Sequence, residues 1–206
     1  MTAIAGTSAP PDIVRKQGVT TGRGVPQNVP MDCIGDRERM AGFLASQGVP
    51  MLAQVLIELA EDHEPVYQRL KRLRLSDDPV ALSEEFTQHL QRWETDDRWV
   101  RYQGVAAFGQ ELDVWVAQVQ REVLPRFPLE AMRLFAAFLE LDKVVFERVD
   151  DDGGHVGGAF ELAFRLWLTA AVAAGLSAAD IADRAFAMLS ADHYGARAAL
   201  DRGLVR

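Results

Sequence analysis

From about Asp36 to Gly203 the sequence is a succession of amphipathic helical segments. Within each segment the apolar residues recur at three- and four-residue steps, which places them on one face of a helix. No stretch alternates apolar and polar residues over the length of a strand, and prolines, glycines and polar turns separate the segments. The pattern therefore predicts an all-α protein with essentially no β-sheet.

Short connections between the segments indicate that consecutive helices are antiparallel neighbours. We predict stacked antiparallel helical hairpins, as an α-α superhelix or an irregular bundle, because no residue pattern recurs at a fixed period. The longest predicted helix runs from about Arg98 to Leu124. The next one follows Pro128 and reaches Val149 without a break, and a last short helix spans about 192–200.

Local signals set several of the helix ends. Gly175 stands where a left-handed residue closes a helix, and Ser177 with Asp180 resembles a capping box that begins the following one.

The third predicted helix has an apolar stripe that we expect to be buried: Val66, Leu70 and Leu73. The basic cluster of the same helix is expected on a solvated face, with a phosphate or RNA contact as the minor alternative: Arg69, Lys71, Arg72 and Arg74.

Residues 1–35 have a different composition, rich in Gly, Pro, Thr and Ser and without periodic apolar residues. Such a segment cannot bury enough apolar surface to offset the entropy lost on ordering. We therefore predict a flexible arm over residues 1–35 and one helical domain over residues 36–206.

Charge and cysteine content limit the classes of protein to which this sequence can belong. The formal net charge is -8, and it resides in the helical body, which disfavours nonspecific nucleic-acid binding. Cys33 is the single cysteine, so no internal disulfide framework or thiolate zinc site is available. The opening residues lack a secretory pattern, and the longest apolar run, 166–176, is shorter than the ~20 residues of a membrane span. A cytoplasmic, membrane-free protein is predicted.

The acidic turn after the sixth predicted helix is the candidate ion site. Counted from Asp150, the turn places Asp152 at position three and Glu161 at position twelve of a calcium-binding loop. Gly154 and His155 then occupy positions five and six, where a ligand and a glycine are needed.

Helix capping explains these acids more simply. Asp151 or Asp152 is expected to accept backbone N–H groups at the start of the next helix, while the glycines make the turn. No metal or other cofactor is therefore predicted, and no phosphate loop, nucleophile elbow or kinase signature marks a catalytic site.

A second candidate site lies on the fifth predicted helix. Trp99 and Tyr102 share a helical face and are expected to mark the edge of a groove, with Glu111 and Asp113 farther along the helix. An interior ligand site requires Glu111 and Asp113 to face a closed polar cavity. If they face open solvent instead, this part of the helix is a bare surface.

The order of several short segments resembles a bacterial family of helical domains of unknown function. They are Phe43-Leu-Ala-Ser-Gln, Leu56-Ile-Glu-Leu-Ala-Glu-Asp, Trp99-Val-Arg-Tyr, Gln110-Glu-Leu-Asp, Asp151-Asp-Gly, Val156-Gly and Leu189-Ser-Ala-Asp-His-Tyr-Gly. The resemblance covers about 39–201 and implies a helical-hairpin superhelix, in a family often found C-terminal to a SWIM-type zinc finger. It implies no catalytic residues, and the arm has no zinc-finger cysteines.

These observations favour a non-enzymatic helical interaction or scaffold module that binds another protein. The alternative is a helical-bundle enzyme or small-ligand-binding protein with its site near the fifth helix. A nucleic-acid accessory role through the third helix is disfavoured by the acidic body. Assembly into homo-oligomers stays open.

Overall fold

The computed structural model describes residues 34–192 and 194–195. Over this part of the chain the backbone forms helices and no β-strand, which confirms the all-α prediction. The helices are α1 (Ile34–Ala45), α2 (Val49–Asp62), α3 (Glu64–Arg74), α4 (Pro79–Thr95), α5 (Tyr102–Glu122), α6 (Pro128–Glu140), α7 (Asp142–Phe146), α8 (Gly157–Ala173) and α9 (Ala178–Ser190). The predicted arm up to residue 33 and most of the last predicted helix lie outside the described residues.

The chain divides into two compact units, Met1–Ala53 and Gln54–Arg206. The described part of the first unit consists of α1 and the beginning of α2. In the second unit α6 packs on α8, α4 and α5, and α8 also packs on α5 and α9. Helices distant in sequence therefore share one core, which is the irregular-bundle form of the predicted fold.

Phe138 of α6 lies at the centre of this core and has no exposed surface. Its ring centroid is 4.7 Å from that of Phe160, 5.2 Å from that of Trp115 and 6.2 Å from that of Trp93. The Trp115 indole N–H donates to the Phe86 carbonyl at 3.3 Å, so its polar edge is satisfied inside the core. Four helices thus meet through one aromatic cluster.

Two predicted helix boundaries are wrong. The helix expected to reach Val149 without a break ends at Glu140, and the short α7 follows. The Asp142 carboxylate accepts the Lys143 N–H at 2.6 Å, and this local bond competes with continuation of the helix. The longest helix begins at Tyr102 rather than near Arg98, because the preceding loop is extended: the Val100 N–H donates to the Arg148 carbonyl at 2.9 Å.

The predicted orientation of α3 is also wrong. Arg72, expected on the solvated face, is only 6% exposed, whereas Leu73, expected in the buried stripe, is 56% exposed. The Arg72 Nε donates to Oε2 of Glu122 in α5 at 2.7 Å, and the guanidinium carbon lies 5.4 Å from the Phe86 ring centroid. A carboxylate fifty residues away makes burial of this arginine favourable, and that partner is invisible to a local periodicity argument.

Candidate functional site

Two of the four predicted groove residues lie in one cleft. Trp99 and Glu111 line a cavity of about 600 Å³ between the end of α4, the 96–101 loop and α5. Tyr102 is 77% exposed and Asp113 is half-buried, and neither lines this cleft. Burial raises the pKa of the Asp113 carboxyl. The cleft is open on one side, so Glu111 faces solvent rather than a closed polar cavity.

His89 of α4 also lines the cleft, although the sequence did not assign it to the groove. Its Nδ1 lies 3.1 Å from the Glu85 carbonyl oxygen, which can only accept, so Nδ1 carries the proton. Burial lowers the pKa of the ring and so favours its neutral form. Nε2 therefore retains its lone pair and can accept a hydrogen bond from a bound molecule.

The wall of the cleft is held by Arg148, which is only 6% exposed. Its Nη1 donates to the backbone carbonyl of Asp96, and its guanidinium carbon lies 5.4 Å from the Phe108 ring centroid. Burial lowers the pKa of Arg148, while the hydrogen bond from Arg98 lowers the pKa of the Asp96 carboxyl. Asp96 and Phe108 both line the cleft, so this arginine fixes the position of the loop against α5.

The acidic turn is organised by Asp151. The Asp151 carboxylate accepts the Val156 N–H at 3.0 Å and the Gly157 N–H at 2.8 Å. Asp150 and Asp152 are exposed, and Glu161, in α8, is half-buried. Across residues 34–192 and 194–195, no three His, Cys, Asp or Glu side chains are grouped so that they can hold a metal ion. The capping interpretation is confirmed for Asp151, and not for Asp152.

We expect Asp151→Ala to lower the free energy of unfolding by about 1 kcal/mol, because two N–H groups at the start of α8 lose their acceptor. Asp152→Ala is the matched control and should change stability by less than about 0.5 kcal/mol, since Asp152 is exposed. Urea denaturation of both variants measures the difference. Equal losses would contradict the assignment of the cap to Asp151.

A different surface appears on α2 and α3. Although α2 is strongly apolar, none of its residues is buried, and Ile57 is 58% exposed. Between the two helices lies an apolar groove of about 730 Å³. We name it the α2–α3 groove, and its lining residues with apolar character are Ile57, Ala60, Tyr67, Leu70 and Leu73. Glu61, Lys71 and Arg74 form its charged rim.

A model of a family of unknown function, DUF6880, matches residues 41–205. The chain belongs to the DUF6880 family. No curated protein and no solved structure matches it significantly. The residues of the cleft beside α5 and of the α2–α3 groove all lie within this matched range. The association of this family with a SWIM-type zinc finger stays a prediction.

The groove escaped the sequence analysis because α2 was interpreted as a helix with one apolar face. In this DUF6880 chain Ile57 lies off the stripe of Leu52, Val55, Leu56 and Leu59, so apolar residues extend around much of the helix. The excess of apolar residues on α2 is the sequence signal that could have revealed the groove.

No single helix among the described residues is long and apolar enough to cross a membrane. Only α1 and α2 taken together, across the bend between them, reach the length and composition of a membrane span.

Proposed function

We propose that this DUF6880 chain is a helical interaction module that binds another protein in the α2–α3 groove. The observation that carries the proposal is the exposure of α2, which has no buried residue along its 14 residues. A helix of this length obtains most of its stability from packing its apolar face. A contiguous exposed apolar surface with a polar rim is typical of interaction sites.

The shape and charge of the groove favour one kind of partner. Two neighbouring helices with an apolar floor accept an amphipathic helix, which inserts side chains spaced at three and four residues. The Lys71 Nζ already pairs with Glu85 at 2.8 Å, which leaves Arg74 and Glu61 as opposite charges on the rim. The partner is therefore an amphipathic helix of another protein, with an apolar stripe flanked by an acidic residue that faces Arg74 and a basic residue that faces Glu61.

Site-specific photo-crosslinking tests this assignment in the native host. A photoreactive phenylalanine derivative at Tyr67, which is 52% exposed in the groove, should give a discrete adduct with a second protein. The same substitution at Tyr102, which is 77% exposed outside the groove, is the matched control and should give none. Mass spectrometry of the adduct identifies the partner.

The purified partner is then titrated against the full chain. Ile57→Glu should weaken binding by about tenfold or more, because a charge enters the apolar floor. Val172→Glu changes another exposed β-branched residue, 66% exposed on α8, and should bind like the wild type. Three crosslinking results would overturn the proposal. An adduct with the mass of two copies would show that the groove serves self-association. A lipid adduct, or equal adducts at Tyr67 and Tyr102, would show that the groove does not bind a partner protein specifically.

The cleft beside α5 supports a second candidate function, a small-ligand site. Its volume of about 600 Å³ is in the range of small-molecule pockets. Exposed Trp99 offers a stacking surface, while Glu111 and the His89 Nε2 lone pair are available to hydrogen-bond donors of a ligand. This candidate ranks second because the charged residues that line the cleft are two arginines, Arg92 and Arg98, and two acids, Asp96 and Glu111, so its charge selects no one ligand class.

A further inference from the structure

A small pocket of about 170 Å³ lies where α3 and α5 end and the turn to α6 begins. Four arginine side chains line it, and we name it the arginine pocket: Arg69, Arg72, Arg121 and Arg126. Glu122 is its acidic member, and Ser76 contributes a hydroxyl group. The pocket shares only Leu73 with the α2–α3 groove, so a ligand in the pocket would be held by residues other than those proposed to hold the partner protein.

Glu122 does not balance the charge of this pocket. Its side chain is 3% exposed, and both of its carboxylate oxygens contact the buried Arg72: Nε lies 2.7 Å from Oε2 and Nη2 lies 3.3 Å from Oε1. Arg69 also pairs with Oε1, and the Arg121 Nη2 lies 3.6 Å from it. One carboxylate is thus shared by three guanidinium groups.

The fourth arginine, Arg126, pairs with Asp77, whose side chain is 89% exposed and does not line the pocket. Four positive charges therefore face two negative ones. The C-termini of α3 and α5 add about half a negative charge each, and the balance stays positive. The whole chain has a formal net charge of -8, so the pocket is a region of positive electrostatic potential on an acidic protein.

We propose that the arginine pocket binds a phosphate group, as the free ion or as a monoester on a larger molecule. Guanidinium forks match the geometry of phosphate oxygens and donate two hydrogen bonds each. Arg72 is fixed by burial, whereas the side chains of Arg69, Arg121 and Arg126 are 40%, 63% and 49% exposed and can turn towards an anion. The Ser76 hydroxyl supplies a further donor.

Isothermal titration calorimetry of the full chain at low ionic strength tests the proposal, with orthophosphate and O-phosphoserine as probes. Each should give saturable heat with the wild type. Arg69→Gln and Arg121→Gln should each weaken binding about tenfold, because each removes charged donors. Tighter binding of phosphoserine than of orthophosphate would identify a monoester as the source, and equal binding would identify the phosphate group alone.

Arg133→Gln is the matched control, since Arg133 is 62% exposed, pairs with Glu130 and lies outside the pocket. It should leave phosphate binding unchanged. NMR of the arginine Nε–H groups detects phosphate binding to the wild-type protein directly. Phosphate should shift the signals of Arg69 and Arg121 and leave the signal of Arg133 unchanged. The absence of saturable heat, or an equal loss in Arg133→Gln, would overturn the proposal.

Discussion

Replacing Glu122 with alanine is expected to lower the free energy of unfolding by about 3–5 kcal/mol. Glu122 is the buried partner of Arg72, and the substitution leaves the 6% exposed guanidinium without its carboxylate. Removing one member of a buried pair costs far more than the pair itself contributes, because the remaining charge stays desolvated. Guanidinium chloride denaturation, with the midpoint and slope fitted together, measures the loss.

Two further variants separate this explanation from a general loss of charge. Arg72→Met combined with Glu122→Leu removes both charges and should recover most of the stability. Glu130→Ala breaks the Arg133–Glu130 pair, in which the arginine is 62% exposed, and should cost no more than about 1 kcal/mol. A loss below about 1 kcal/mol for Glu122→Ala would show that the Arg72–Glu122 pair does not anchor α3 on α5.

Phe138→Ala should also destabilise the protein by about 3–5 kcal/mol. Phe138 has no exposed surface, and its ring contacts aromatic rings from α4, α5 and α8. Truncation removes the ring from the meeting point of those helices and leaves a cavity that close-packed neighbours fill only in part. The free energy of unfolding, measured by urea denaturation, gives the loss.

Phe186→Ala is the matched control, because the Phe186 ring of α9 is 73% exposed. Its free energy of unfolding should change by no more than about 0.5 kcal/mol. If the two alanine variants lost similar stability, the aromatic cluster around Phe138 would not be the centre of the core.

The parts of the fold that depend on neighbouring residues were predictable. Ser177 accepts the Asp180 N–H at 3.1 Å, as its capping pattern indicated, and Gly175 has φ of 79° at the end of α8. Trp115 and Phe138 follow the helical spacing of the apolar residues in their segments, and both are buried in the core. Backbone hydrogen bonds, caps and periodicity act over a few residues, which is why the sequence alone reveals them.

The candidate sites were predictable only in part. Trp99 and Glu111 lie in one cleft, but the cleft also needs His89 from α4 and a loop held by Arg148, fifty-two residues from Asp96. The acidic turn was correctly interpreted as a cap, although the exposed Asp152 and the half-buried Asp151 are equivalent in sequence. Which of two adjacent acids turns inward depends on where α8 begins in space.

The amino-acid sequence by itself determined that the described part of this chain is helical, where α8 ends and α9 begins, and that its body is acidic. Only the tertiary structure decided which faces of α2 and α3 are covered. Arg72 is inside because Glu122 and Phe86 approach it from other helices, and Ile57 is outside because no described helix of the second unit covers it. Periodicity ranks the faces of a helix by polarity, whereas burial depends on the partners that the fold brings to each face.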